Sequence, residues 1–323
     1  MPLDKKVFIT QTLPEAASNF LKENGASVEM NRSFEPLSKK ELIKKMSGVG
    51  VFITLLTDNI DKEIIDAAAE NEVKGFCNYA VGYNNIDVNY AKLKKIFVTN
   101  TPDVLTKTTA EMAWALLFSA ARRITESHNY VAQKKFNGWQ STLMLGRDVS
   151  GKTLGIIGAG RIGTAFGLMS AGFEMKVIYS DFNRNETLEK KINAEKVELN
   201  ELLEKADFIS LHTPLTNDSV HLIGEPQFKL MKKTAIIINT SRGRVIDEKI
   251  LAKFLKDDKI GYAGLDVFEN EPDICSELFS LPNVIMTPHI ASGTVETRDK
   301  MALLAARNAA DIFSGIVPRN NVW

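Results

Sequence analysis

The stretch that most constrains this chain is residues 152–163, KTLGIIGAGRIG, an apolar run ending in three glycines spaced G-x-G-x-x-G. Leu154, Ile156 and Ile157 form the short, nearly continuous apolar run of a parallel strand covered on both faces, and residues 161–171 can continue as a helix. Each glycine then has its own task. Gly158 permits the tight turn, Gly160 keeps side-chain atoms away from an approaching pyrophosphate, and Gly163 lets the helix pack closely on the strand. The open N–H groups and the positive end of the helix dipole face the phosphates. The glycine pattern alone is a weak signal, because glycine is common. Its context is what gives it weight. A second apolar strand, Lys176–Ser180, follows the helix and ends in Asp181, 18 residues after Gly163, where a carboxylate can hold a ribose 2′-hydroxyl. The reading is a dinucleotide site.

Around that site, 323 residues leave room for about two domains, and 44% hydrophobic with 25% charged side chains is ordinary for a globular chain with large cores. The 40 basic residues balance 40 acidic ones without a long basic block, which argues against nucleic acid or an anionic membrane as partner. No segment approaches the ~20 apolar residues of a membrane span, and the N-terminus leads into a strand without a signal-peptide pattern, so a cytoplasmic location is expected. Cys77 and Cys275 are too few to staple the fold and lie outside metal-ligand spacing. Both read as buried or half-buried thiols, and no metal site is expected.

Elsewhere, short apolar runs alternate with helical patterns, the signature of parallel βα units. Strands are expected at residues 7–10, 27–30, 51–55, 73–78 and 96–99, with helices starting after Pro14, at a Ser38/Glu41 capping box, and over 61–71. This first unit has no glycine fingerprint. Residues 78–85, NYAVGYNN, form a turn-rich strand end whose amides can grip a carboxylate or serve as a plain βα loop. After a break at Asn100, Thr101 and Pro102, one long helix is expected from about Thr106 into the 130s, read as the crossing between two domains, and then an irregular segment over 136–150. Strands at 208–211, 235–239, 262–265 and 284–286 join the two around the glycine turn, giving six for a doubly wound sheet. Residues 294–313 read as a helix that returns to the first domain.

Active sites of open α/β sheets lie at the carboxyl ends of strands, so the polar residues after each strand are the candidates. One strand is followed by Thr240, Ser241, Arg242 and Gly243, the next by Asp266 to Glu271, and the last by Thr287, Pro288 and His289. Of the four histidines, His128 lies on an expected helix, His221 near a polar turn that suits the surface, and His212 ends a strand as a packed or cofactor-side residue. Only His289 falls between a proline and a glycine-containing loop after the last strand. A guanidinium offers paired donors to a 2-oxo carboxylate, an imidazolium can give a proton to a developing alkoxide, and a carboxylate favours the charged imidazole. With hydride from a nicotinamide, the set suits carbonyl reduction. Taken singly, each residue also fits an ordinary surface pair or cap.

With GAGRIG, HTPL, TSRG, LDVFENEP and PHIASGT in that order, the chain resembles the D-isomer-specific 2-hydroxyacid dehydrogenase family over essentially its whole length. The resemblance implies an α/β architecture of two doubly wound parallel-sheet domains. A Rossmann cofactor domain, residues 101–290, is inserted into a split flavodoxin-like substrate domain, residues 1–100 and 291–323, with a cleft between them. Carried over by motif, Arg242 binds and polarises the substrate, Glu271 supports the histidine, and His289 is the acid/base. Val81 and Gly82 offer amides to the substrate carboxylate. Thr109, Arg161, Ile162, Asp181, Thr213, Thr240, Asp266 and His289 touch the cofactor beside Gly158, Gly160 and Gly163.

Within the family, NYAVGYNNID, PDVLTKTTAEMAWALL and FNGW are similar to glyoxylate/hydroxypyruvate reductases, which implies reduction of a small 2-oxoacid to the D-2-hydroxyacid. FNGWQ also resembles phosphite-oxidising members, and nucleotide-sensing relatives that are not enzymes can keep the triad, so both alternatives stay open. NADP-using glyoxylate reductases show basic residues after the second strand, whereas here Asp181 comes first and Arg184 follows. A carboxylate repels a 2′-phosphate, so NAD is expected over NADP. The habit of the family adds a homodimer formed through residues 106–137, with Trp139 reaching the neighbouring subunit's substrate pocket.

Overall fold

The computed structural model describes residues 5–323. The chain divides into two units, one built from the sequence up to Leu105 together with Gly293–Trp323, the other from Thr106–Ser292. The first opens with β1 (Lys6–Ile9), α1 (Glu15–Glu23), β2 (Ser27–Met30), α2 (Lys39–Lys44), β3 (Val51–Thr54), α3 (Lys62–Glu70), β4 (Gly75–Asn78), α4 (Val88–Leu93) and β5 (Phe97–Thr99). The sheet is parallel in the order β2-β1-β3-β4-β5, the flavodoxin-like winding. Every residue of β3 and β4 is buried, as expected of inner strands covered on both faces. Helix starts are fixed locally. Ser38 and Glu41 form the capping box of α2, and Asp61 and Asp87 accept from the third amides of α3 and α4. The six-residue α4 was not legible in the sequence, because so short a helix shows too little periodicity to register.

The second unit begins with α5 (Thr106–Ala121) and α6 (Ile124–Ala132), where the sequence suggested one long helix. The chain breaks at Arg123, whose φ of 52° is left-handed. Its guanidinium holds Glu126 at 2.7 and 2.8 Å. The Ala121 carbonyl freed by the break accepts from the Arg147 amide at 2.8 Å, which ties down the irregular segment that follows. Next come β6 (Thr153–Ile157), α7 (Arg161–Met169), β7 (Lys176–Ser180), α8 (Glu186–Ile192), β8 (Glu195–Lys196), α9 (Leu199–Lys205), β9 (Phe208–Leu211), α10 (Glu225–Leu230), β10 (Ile236–Asn239), α11 (Glu248–Lys256), β11 (Tyr262–Leu265) and β12 (Val284–Met286). The parallel sheet runs β12-β11-β10-β9-β6-β7-β8. It has seven strands where six were expected. The extra strand, β8, is a two-residue edge with no apolar run to announce it.

Strand order in this sheet reverses between β6 and β9, which places the switch point, where ligands bind in such folds, at the glycine turn. Both faces are covered. Leu202, Ile209, Ile237 and Phe254 belong to one core, and Trp114, Ile156, Phe166, Tyr179 and Ile238 to the other. Trp114 also donates from Nε1 to the Phe166 carbonyl at 3.0 Å, so α5 is fixed to α7 by a hydrogen bond as well as by packing.

The last helix, α12 (Val295–Phe313), starts at Thr294 as N-cap and returns to the first unit, packing on α1, β3 and β4. The chain then ends against β5, where Val322 N–H donates to Val98 and the Trp323 ring stacks on Phe97 at 5.5 Å. No helix among the described residues is long and apolar enough to cross a membrane.

Candidate active site

The glycine turn after β6 is shaped for a phosphate group. Gly158 has φ of 89°, and a Cβ there would lie 2.8 Å from the His212 carbonyl carbon; a Cβ on Gly163 would lie 2.1 Å from the Gly158 oxygen. Those two positions exclude any other residue. Gly160 differs, because nothing lies within 4 Å of its Cβ position and that face of the turn is open. Directly after it, α7 begins without a side-chain cap, the kind of helix start that attracts anions. Beside the turn, Asp181 Oδ2 accepts from the Ala159 amide at 2.7 Å and Oδ1 from the Asn183 amide at 3.1 Å. At the neighbouring strand ends, the hydroxyls of Thr213 and Thr240 are buried with no hydrogen-bond partner. Arg161 is exposed on the first turn of α7, Ile162 is half-buried beside it, and Thr109 is buried on α5. These features fit a dinucleotide, whose pyrophosphate the open face at Gly160 would admit.

The charged cluster is assembled from the ends of β10, β11 and β12. His289 Nδ1 lies 2.8 Å from Glu271 Oε2, and Glu271 Oε1 accepts from the Phe268 amide at 3.0 Å. Burial works against ionisation of Glu271, but the His289 contact, the Phe268 amide and the charge of Arg242 outweigh it and hold this carboxyl below the usual carboxylate range. Arg242 is half-buried and donates from Nη1 to the Ser241 carbonyl at 2.6 Å. Burial lowers its pKa while the Glu271 charge opposes that, and a guanidinium stays protonated throughout. Gly243 makes the approach possible. A Cβ there would stand 1.8 Å from the Phe268 carbonyl carbon, so the Arg242 turn lies directly on the Phe268–Glu269 backbone.

The first unit carries its own anion-ready loop at the end of β4. The carbonyls of Ala80, Val81 and Gly82 accept from Thr101 N, Asn100 Nδ2 and Asn78 Nδ2 at 2.8, 2.8 and 2.9 Å. Tied down by their carbonyls, Val81 and Gly82 leave their amides without an acceptor among the described residues. Two adjacent free N–H groups are a carboxylate-binding element.

Residues 114–291 match the family model described as "D-isomer specific 2-hydroxyacid dehydrogenase, NAD binding domain". The chain belongs to this family. Across the full length it is 46% identical to a glyoxylate reductase of Korarchaeum cryptofilum, covering 98% of this chain and 95% of the relative. Among solved structures, a protein from Thermus thermophilus superposes with a TM-score of 0.92 at 37% identity, covering 98% of this chain and all of that one. An NADPH-dependent glyoxylate/hydroxypyruvate reductase from Sinorhizobium meliloti, in complex with NADP and malonate, superposes with a TM-score of 0.85 at 26% identity, covering 98% of this chain and 96% of that one. As a D-2-hydroxyacid dehydrogenase, the chain is an oxidoreductase with a nicotinamide cofactor.

Asp266, expected to touch the cofactor, is embedded in the loop that follows β12. Asp266 is wholly buried, and its carboxylate accepts from Thr287 Oγ1, Ile290 N and Ala291 N at 2.5, 2.9 and 2.7 Å, while its carbonyl accepts from His289 N at 2.9 Å. These contacts hold the loop that carries His289, which sits at a left-handed φ of 54°. Burial raises the Asp266 pKa against the Thr287, Ile290 and Ala291 contacts and the His289 charge. Trp139 is 87% exposed in the irregular segment and joins none of these groups. Sequence reasoning also missed Glu248, a buried carboxylate that accepts from Glu269 N at 2.8 Å and Cys275 N at 2.6 Å and so brackets the loop carrying Glu271. A glutamate in the first turn of α11 was its only sequence signal, and that is what a helix start ordinarily shows.

Proposed function

We propose that the chain reduces small 2-oxoacids, glyoxylate and hydroxypyruvate foremost, to the D-2-hydroxyacid with NADH. The observation that carries this reading is the 2.8 Å contact of His289 Nδ1 with a Glu271 carboxylate that also feels Arg242. With Nδ1 occupied, Nε2 is left to give a proton to the carbonyl oxygen of the substrate. Arg242 brings fixed N–H donors to the 2-oxo carboxylate and polarises the carbonyl, and the amides of Val81 and Gly82 receive the carboxylate. When bound, the nicotinamide supplies the hydride.

Asp181 at the lip of the glycine turn supports NAD over NADP, since its carboxylate suits a ribose hydroxyl and repels a 2′-phosphate. Ile124, Val131, Phe136, Trp139 and Leu145 are all more than half exposed along α6 and the irregular segment after it. A second copy of the chain is the cover we assign to that apolar run, which makes the working form a homodimer.

A panel of NADH oxidation with glyoxylate, hydroxypyruvate, pyruvate and a branched 2-oxoacid, with NAD reduction by phosphite and formate alongside, tests the reading. Glyoxylate and hydroxypyruvate are expected to give the highest kcat/KM, with graded turnover of the others, because a methylene in a pocket wall is worth only ~1–3 kcal/mol. Turnover of phosphite or formate alone would overturn the substrate class. No turnover of any member would favour a nucleotide-binding protein.

A further inference from the structure

The loop after β7 carries a cation, Arg184, paired with a carboxylate of α8. Residues 181–185 are tied at both ends to one residue of the glycine turn: Asp181 Oδ2 accepts from Ala159 N, and Asn185 Nδ2 donates to the Ala159 carbonyl at 2.7 Å and to Thr164 Oγ1 at 2.7 Å. Arg184 therefore belongs to a short bridge anchored on the glycine turn, three residues after Asp181. Its guanidinium is engaged elsewhere. Nη2 and Nε donate to Glu189 Oε2 and Oε1 at 2.8 and 3.2 Å. Glu189 is itself fixed, accepting from Tyr179 Oη at 2.6 Å, and Tyr179 Oη accepts from the Asn185 amide at 2.7 Å.

Burial does not hold Arg184 in this position. Its side chain is 73% exposed, against 19% for Glu189, and a recess of about 450 Å³ opens beside the pair between Ala194, Glu195 and Lys196. The two-point contact with a braced carboxylate is what orients the guanidinium, so removing the carboxylate charge releases it. Arginine is the side chain best suited to a phosphate monoester, and specificity is set as much by withholding a favourable group as by supplying a repulsive one.

From this arrangement we infer that Glu189 is a specificity-determining residue of the cofactor site: by sequestering Arg184 it denies the 2′-phosphate of NADP its cation, beside the repulsion that Asp181 supplies. The inference rests on the reading of the glycine turn as an NAD site. Glu189 acts through Arg184 and touches no reacting atom.

Dissociation constants of NADH and NADPH, measured by calorimetry without substrate, test it in the wild type, Glu189→Gln, Arg184→Ala and the double variant. Glutamine keeps an acceptor for Tyr179 and the side-chain volume, so NADH affinity is expected to stay within about twofold, which also reports an intact fold. NADPH affinity is expected to rise roughly tenfold in Glu189→Gln, the size of one charge-assisted contact at an exposed site. That gain should vanish in the double variant. An unchanged ratio of the two constants in Glu189→Gln, or a gain that survives Arg184→Ala, overturns the role of Glu189. The NAD reading is judged separately by the wild-type ratio, and a wild type that prefers NADPH contradicts both.

Discussion

Two histidine–carboxylate pairs in the second unit have the same 2.8 Å separation and opposite prospects. In one, His289 Nδ1 meets Glu271; in the other, 48 residues apart in sequence, His221 Nε2 meets Glu269. The His221 ring has a second carboxylate, Asp247 Oδ2, 3.9 Å from Nδ1, so both of its nitrogens face anions. His289 meets its carboxylate through Nδ1, and Nε2 is the atom we propose for the substrate proton. The carboxylates differ as well. Glu271 shares its field with Arg242 and is braced by the Phe268 amide, whereas the second oxygen of Glu269 lies 3.4 Å from the Glu248 amide, in a network that only ties α11 to the following loop. Distance within a pair therefore identifies neither as catalytic. The catalytic role we propose for His289 rests instead on its second nitrogen and the adjoining guanidinium.

The sharpest way to break this comparison is to replace each ring by asparagine, which tolerates the left-handed φ of both positions, 54° at His289 and 49° at His221. His289→Asn is expected to lower kcat for glyoxylate reduction by ~10² or more with NADH binding nearly intact, the usual scale of general acid catalysis. His221→Asn is expected to leave kcat within about twofold and to change unfolding free energy by no more than ~1 kcal/mol, as for exposed ion pairs. Steady-state kinetics and urea midpoints read both. Equal losses from the two variants would collapse the distinction.

His212 supplies the third case, a histidine with no carboxylate. Its Nε2 lies 2.9 Å from Ser210 Oγ and its ring 5.0 Å from that of Phe166, and burial pushes its pKa down to about 3. The sign follows directly. The folded state keeps this ring neutral while the unfolded chain protonates below ~6.5, so stability is lost as pH falls from ~6.5 toward 3. His212→Gln, which can keep the Ser210 contact, should lose less stability than the wild type between pH 7 and pH 4, by roughly 1 kcal/mol after allowing for the ring's partial exposure. Parallel urea titrations at the two pH values measure the difference. Identical losses would mean that the ring is solvated.

Much of this was legible before any coordinates. The glycine turn could be read because the spacing of Gly158, Gly160 and Gly163 encodes three separate steric demands, and Arg242, Glu271 and His289 because each follows an apolar run that must end at the same edge of a sheet. The features missed were those that depend on contacts remote in sequence. Nothing near Gly243 says that its Cα hydrogens face the Phe268 carbonyl, nothing near Asp266 that its carboxylate is spent on the amides of Ile290 and Ala291, and nothing near His221 that Glu269 waits across the turn. The break at Arg123 was hidden for a related reason. No glycine or proline marks it, and the Ala121 carbonyl is satisfied by Arg147 from a segment without periodicity of its own.

The pH dependence of kcat/KM for glyoxylate reduction, compared in wild type, Glu271→Gln and Glu269→Gln, tests the central claim most directly. Glu271 is held below the usual carboxylate range, so it stays ionised through neutral pH beside a ring that must be protonated for reduction. Removing that charge should move the alkaline limit of activity to lower pH in Glu271→Gln, while Glu269→Gln keeps the wild-type profile. A profile that moves in both variants, or in neither, would contradict the account.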